Sequence, residues 1–314
     1  MRPSAALLFL TLLAAWAGAA AASSGLTGAP VLNTPIGARS SGLGRAFTAV
    51  PGDPEAISYN PGALAFAEKV TVSATYMSGY LDGSYGLLAL PVQLGKFVLT
   101  PAYFFFNSGP IDLNLSDGTR ETLTAEQDKV AYLSAGWRPS PELGVGFTLK
   151  RASLELAETA TATSLHYDLG VLYAARSGLS FGAAYLNNGG DIKFEERGDP
   201  PPKTKRLGAS YKFKVQPPNL FDPGADIVDC DMLLALDWSR TDKEKGYYQG
   251  GTEAAMLLGD GYTFNLRFGY LAGRESAGMT YGLGLAGKNW GVDCSFVPSK
   301  TLDTVSQATL NYKF

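Results

Sequence analysis

From residue 68 to the end of the chain, apolar and polar residues alternate in stretches of roughly ten, separated by clusters of Gly, Pro, Asn, Asp and Ser. A period of two sends successive side chains to opposite faces of an extended strand. Alternation read together with the turn residues predicts fourteen strands: 68–79, 82–91, 95–107, 129–138, 141–152, 164–175, 178–188, 203–214, 230–239, 246–257, 260–272, 277–287, 289–297 and 304–314. Most reach the ~9–11 residues with which a tilted strand crosses a bilayer. The last ends in register on an aromatic: Ala308, Leu310, Tyr312 and Phe314 share one face, and Thr309, Asn311 and Lys313 share the other.

Charge decides which face meets lipid. In the eleventh strand Tyr262, Phe264, Leu266, Phe268 and Tyr270 lie opposite Thr263, Asn265, Arg267 and Gly269. An Arg267 side chain in lipid near the midplane would cost ~2–4 kcal/mol, so the aromatic face points outward. Leu165, Tyr167, Leu169, Val171 and Tyr173 oppose His166 and Asp168 in the same way, and Leu207, Ala209, Tyr211 and Phe213 oppose Arg206 and Lys212. The inward face is polar and rich in Gly and Ala, which fits a narrow or plugged lumen. Phe104 and Phe106 fall on the inward face of their strand and predict an apolar patch inside.

A soluble sandwich also alternates, hiding its aromatic face against a second sheet. An even strand count without a linker, aromatic strand ends and terminal Phe314 favour a membrane barrel with both termini on one side. Connections Ser108–Asp128, Ser153–Thr163 and Gly189–Pro202 then lie outside the cell. Tight turns at Pro139-Ser140-Pro141, Arg176-Ser177 and Leu258-Gly259 face the periplasm. Residues 215–229 form a long Pro-rich periplasmic exception. Its Asp222, Asp226 and Asp229, with Asp231, match no EF-hand spacing and read as a solvated turn rather than a metal site.

Composition and the N-terminus add the address. Arg2, the apolar run Ala5–Leu13 and Ala19–Ala22 before Ser23 form a charged, apolar and small-residue series. Residues 1–22 therefore read as a cleaved signal peptide and are too short and Ala-rich for an anchor helix. The chain has 37 Gly, 16 Tyr, 16 Phe and a net charge of −3, which gives no nucleic-acid footprint. Its two cysteines, Cys230 and Cys294, fall on the ninth and thirteenth strands. Four strand spacings separate them by roughly 19 Å, so both are expected to be free thiols.

Residues 35–67 break the alternation, and residues 23–67 are expected to fold as a separate segment ahead of the barrel, 68–314. Asp53 is an N-cap with Pro54 at the first helical position, and Asn60-Pro61-Gly62 reads as a turn that launches the first strand. Gly42-Leu43-Gly44 is no nucleotide loop, because no strand precedes it and no Lys follows in register.

The same stretch resembles the N-terminal signature of the PorV/PorQ-type outer-membrane proteins, relatives of the FadL-like transporters. The matching residues are Gly37-Ala38-Arg39, Gly42-Leu43-Gly44-Arg45-Ala46-Phe47, Asp53–Ala56 and Asn60-Pro61. Gly62 stands where that signature has Ala, and Pro54-Glu55 interrupts its acidic pair. Similar phrases continue at Tyr167–Tyr173, Gly178–Gly182, Leu207–Tyr211 and Leu233–Asp237.

The resemblance implies an all-β protein: a 14-stranded antiparallel transmembrane β-barrel of the bacterial outer membrane, with a short N-terminal plug segment in the lumen. Gly37, Arg39, Gly42, Gly44, Asp53, Asn60 and Pro61 then set plug geometry. His166, Asp168, Arg206, Lys212 and Arg267 are lumen polar candidates, the first two expected to bond Arg206 or Lys212 across the lumen. Tyr312 and Phe314 serve insertion by the barrel-assembly machinery.

Two functions are open. One is a non-enzymatic, protein-handling role in type IX-like secretion, with secretion-system subunits or cargo proteins as partners. The other is FadL-type passage of a hydrophobic solute, which needs an apolar pocket and a gap in the wall. The modest outer loops favour the first. His166 and Asp168 share a strand face and suit a base with its orienter, yet they point away from lipid, so no enzyme activity is expected. No cofactor or metal is called for, and outer-membrane lipid is the surrounding partner.

Overall fold

A computed structural model describes residues 27–78, 83–114, 116, 118–216, 229–258, 261–273, 278–298 and 304–314. The signal peptide, Asp222 and Asp226 lie outside the described residues. The alternating stretches form fourteen antiparallel staves: β1 Thr71–Ser78, β2 Ser84–Ala89, β3 Phe97–Asn107, β4 Glu126–Ser140, β5 Leu143–Leu156, β6 Ala160–Ala174, β7 Leu179–Gly189, β8 Thr204–Val215, β9 Cys230–Thr241, β10 Tyr247–Leu257, β11 Thr263–Ala272, β12 Gly278–Ala286, β13 Trp290–Val297 and β14 Val305–Lys313. A short strand, Val92–Leu94, continues the β2 ladder along β3. Every stave pairs with its sequence neighbour, and β1 pairs with β14, Thr71 facing Lys313 and Ala74 facing Leu310. The sheet is therefore closed and has no free edge among its staves.

The two faces separate as the charges require. Leu165, Tyr167, Leu169, Val171 and Tyr173 are exposed on the outside, while His166 and Asp168 between them are buried in the lumen. Arg267 is buried next to exposed Phe268, and Thr280 is buried between exposed Met279 and Tyr281. Phe314 lies just beyond β14, where its N–H donates to the Val70 carbonyl at 3.0 Å. Cys230 on β9 and Cys294 on β13 are free thiols.

One end of the barrel carries the short turns and both ends of the sheet, and the other carries the longer connections. At the long-loop end, residues 108–128 form the extended arm expected from their alternation, a hairpin of Pro110–Asn114 and Arg120–Thr124. The connection expected over 153–163 is far shorter. β5 and β6 stay paired up to Leu156 and Ala160, and the chain reverses through Ala157 and Glu158 with φ of 49° and 58°. Buried Leu154 and Ala162 keep those strand ends ordered by facing the lumen. β7 also departs from a plain strand. Its pairing with β6 shifts between Tyr185 and Asn188, with Asn187 at φ 60°, which is a β-bulge.

Residues 27–67 run through the lumen as a 3-10 turn (Pro30–Asn33), helix α1 (Ala38–Gly42), a second 3-10 turn (Pro54–Ser58) and helix α2 (Pro61–Leu64). Asp53 caps the second 3-10 turn, its Oδ1 accepting from the Glu55 N–H at 2.9 Å. Asn60 does more than mark a turn. Its Oδ1 accepts from the Gly62 N–H at 2.9 Å and caps α2, with Pro61 at the first position, where no N–H is needed.

Candidate functional site

The lumen is built in three parts: a glycine-lined seat, a charged lock above part of it, and an apolar region at the long-loop end. The seat comes from inward-facing glycines on neighbouring staves. Gly136 faces Gly146, Gly146 faces Gly170, Gly182 faces Gly208 and Gly251 faces Gly269. A Cβ at Gly146 would overlap the Pro61 carbonyl, one at Gly182 the Thr48 carbonyl, and one at Gly269 the peptide between Leu43 and Gly44. The N-terminal segment thus lies backbone-close against the wall, at distances only glycine permits. Gly44 adds a φ of 64° in that crevice, its N–H donating to Thr280 Oγ1 at 3.0 Å.

Charge holds the segment there. The Arg39 guanidinium donates to both Glu253 oxygens, at 2.8 and 2.6 Å, and to Asp53 Oδ2 at 2.9 Å. Arg267 donates to Glu253 Oε2 and to Asp293 Oδ1, each at 2.6 Å. Two arginines and three carboxylates therefore form one continuous network, with forked bonds that suit guanidinium geometry. On the adjoining stave β9, Asp237 Oδ2 accepts from the N–H groups of Phe47 and Thr48, each at 2.9 Å, and pairs with Arg206 at 3.0 Å. Arg206 also donates to Thr48 Oγ1 at 2.9 Å and to the Arg45 carbonyl at 2.9 Å. Asn60 Nδ2 reaches the Thr48 carbonyl at 2.7 Å and the Val171 carbonyl at 3.0 Å. Gly37 N–H donates to Gln307 Oε1 at 2.8 Å.

Of the lumen candidates, Arg206 and Arg267 thus touch the segment or its lock. His166 and Asp168 sit in a separate cluster near the bulge. Lys150 pairs with Asp168 Oδ2 at 2.8 Å, and the Asn187 N–H donates to Asp168 Oδ1 at 2.7 Å. Lys150 also donates to Asn187 Oδ1 at 2.6 Å, and His166 Nε2 lies 2.7 Å from Ser164 Oγ. Neither His166 nor Asp168 meets Arg206 or Lys212. Lys212 is outside the lumen altogether, its side chain 62% exposed and paired with Asp231 at 3.0 Å near the short-turn end. Alternation gave Lys212 the right parity, but the residue lies near the end of β8, where its side chain reaches solvent. Asp229 accepts from Gln216, and no group of three metal-ligating side chains forms among the described residues.

Sequence reading missed Glu253, Asp237, Asp293, Lys150 and Gln307. Each has inward parity in its strand, and that parity was the signal available. Glu55 was also undervalued. Its carboxylate is buried and accepts from the Arg39 and Ser40 N–H groups and from Thr309 Oγ1. Burial, reinforced by Asp53 and partly offset by the Ser40 N–H, pushes its pKa up from 4.5 to about 7. The folded protein then holds this proton over a range where the unfolded chain has released it. The stability due to Glu55 is full below about pH 4.5 and is lost as pH rises through about 7. Melting temperatures between pH 4 and 8 are expected to fall more steeply for the wild type than for Glu55→Gln; equal slopes would remove Glu55 as the cause.

The third part is apolar. Met77, Leu87, Phe104, Val130, Leu154, Val297 and Val305 line the long-loop half of the lumen, with Tyr85 and Phe106 packed beside them. Tyr85 stacks on Phe106 with centroids 4.4 Å apart. Val31, Leu32 and Ile36 fill the middle of this lining. Few polar bonds hold that stretch: Asn187 Nδ2 to the Leu32 carbonyl at 3.1 Å, Asn33 to Thr241 at 3.1 Å and Gly28 N–H to the Pro200 carbonyl at 3.0 Å.

No family model and no curated protein matches the chain. Solved structures do. The toluene transporter TbuX of Ralstonia pickettii aligns over 90% of this chain and 99% of its own, with TM-score 0.58 and 16% identity. The Pseudomonas putida toluene transporter TodX aligns over 87% and 95%, with TM-score 0.54 and 11% identity. The CymD monoaromatic hydrocarbon channel aligns over 90% and 98%, with TM-score 0.54 and 13% identity. The chain shares the FadL-like barrel fold. At these identities the likeness is one of fold. The narrower PorV/PorQ-type likeness has no counterpart among these three structures.

Proposed function

We propose that this protein is a FadL-type outer-membrane transporter of hydrophobic small molecules, and not the secretion component favoured by its loop lengths. The observation that carries the reading is the contrast inside the lumen. An apolar lining at the long-loop end is filled by residues 30–36 through few polar bonds, whereas residues 37–62 are locked by the charged network. A solute entering from outside meets aromatic and aliphatic side chains and competes with Val31 and Leu32 for them. The locked segment closes the straight path to the periplasm, so the bulge in β7 is the proposed place where the solute leaves through the wall. The fold shared with TbuX, TodX and CymD supports this reading. The protein-handling alternative rests on the modest outer loops and the PorV/PorQ-type resemblance.

Titration of the purified barrel with toluene tests the proposal. Saturable binding is expected in the wild type, and tighter binding once residues 27–36 are removed, because the solute no longer displaces them. Phe104→Asp is expected to abolish binding while the heat-dependent gel shift of a folded barrel is retained. Absence of saturable binding in both the wild type and the truncated form would overturn the reading.

A further inference from the structure

We propose that the outer wall over β5–β9 holds one phosphorylated glycolipid of the outer leaflet, with an acyl chain in a groove on the wall and its phosphate between Lys205 and Arg240. The inference uses the outer-membrane orientation of the barrel; its groove lies over β7 beside the proposed solute exit, but lipid binding there does not depend on transport.

The groove has a volume of about 780 Å³ and is lined on its lipid side by Val145, Leu169, Val171, Ala183, Leu207 and Trp238. Its floor is the outward face of β7, which is less exposed than its neighbours. Leu169 is 47% exposed and Leu207 is 49% exposed, yet the outward residues between them, Phe181, Ala183 and Tyr185, are only half-exposed. The bulge lies at the long-loop end of this floor, where Asp168, Lys150 and the Leu32 carbonyl all bond Asn187 from the lumen side. Ala183 then leaves the floor open where a larger side chain would fill it.

The long-loop end of the groove is cationic. Lys205 and Arg240 are direct cross-strand partners on the outward face, and both are exposed. Like charges placed opposite one another on a sheet repel, so an anion between or beside them relieves that repulsion. Neither forms an ion pair with a carboxylate among the described residues. Lys205 Nζ lies 5.7 Å from the Tyr185 ring centroid, and Trp238 continues the aromatic border. Asp242 is the one acid lining the groove, and Arg206, the third cation there, is turned into the lumen against Asp237. Two outward cations therefore face a single acid.

Level selects the occupant. Lys205 and Tyr211 lie on one face of β8, six residues or roughly 20 Å apart before tilt. Tyr211 stacks with Phe213 at the short-turn end, centroids 5.2 Å apart. Tyr211 thus marks the periplasmic end of β8, and the cations at the opposite end belong to the outer interface, where the phosphate groups of an outer-leaflet glycolipid lie. Cations beside an apolar slot are how membrane proteins select lipid head groups.

Native mass spectrometry of the detergent-purified full-length protein with added diphosphorylated lipid A tests this. One bound lipid A per barrel is expected, held about thirtyfold more tightly in the wild type than in Lys205→Gln/Arg240→Gln. Ala183→Phe, a change on the lipid side of the wall, is expected to lose the bound lipid with the charges intact. The heat-dependent gel shift checks that both variants are folded. Equal retention by wild type and variants would overturn the site. Phosphatidylglycerol binding as tightly as lipid A would overturn the choice of an outer-leaflet glycolipid, as would retention of dephosphorylated lipid A.

Discussion

Arg267→Ala is expected to destabilise the folded barrel by about 3–5 kcal/mol, the cost of breaking a buried ion pair from one side. Arg267 is 3% exposed in its side chain and bonds two carboxylates, Glu253 and Asp293. Without it, Asp293 loses its ion-pair partner and Glu253 keeps only Arg39. Arg267→Lys preserves the charge but not the two-pronged geometry that meets carboxylates on different staves, so it is expected to recover only part of the loss. The effect reaches past β11, because Glu253 also holds Arg39 of the lumen segment. Denaturant titration of the protein in lipid vesicles measures it. A change below about 1 kcal/mol would mean that the network behaves like a surface pair.

Gly146→Leu is expected to unseat the lumen segment and turn a closed barrel into a conducting one. A Cβ there overlaps the carbonyl of Pro61, and the space over the flanking Gly136 and Gly170 is already taken by Ala65 and Asn60 of the same segment. Backbone cannot yield as a flexible side chain does, so α2 must lift. The overpacking itself costs about 1–3 kcal/mol. Gly250→Ala is the matched control, because a Cβ at that position meets its nearest atom, Leu236 Cδ1, at 3.8 Å. In planar bilayers the wild type and Gly250→Ala are expected to show no steady ion current, and Gly146→Leu to show a sustained one. Equal currents in all three would show that the segment does not seal the lumen.

The staves were legible because lipid and lumen impose opposite chemistry on alternate residues. Arg267 alone orients β11, and the aromatic partners of His166 and Asp168 orient β6. The presence of a lumen segment was legible too, from the loss of alternation over 35–67 and from the Gly and Ala of the inward faces. What each lumen residue touches was not. Arg39 meets Glu253 across 214 positions, and Gly37 meets Gln307 across 270. Such contacts depend on how far the segment penetrates, which no local period encodes. Lys212 shows the same limit, since parity gives a face and not a depth. The bulge left a trace that strand reading passed over. Asn187-Asn188-Gly189 is a run suited to positive φ at the end of β7, and there Asn187 turns toward Asp168 rather than continuing the alternation.

The central claim, passage of a hydrophobic solute, is tested most directly by uptake of radiolabelled toluene into cells whose outer membrane carries this protein as its only added barrel. Faster accumulation than in cells carrying the Phe104→Asp form, at equal amounts of folded protein, is the predicted result. Equal uptake in cells with the wild type, with the variant and with neither would contradict it.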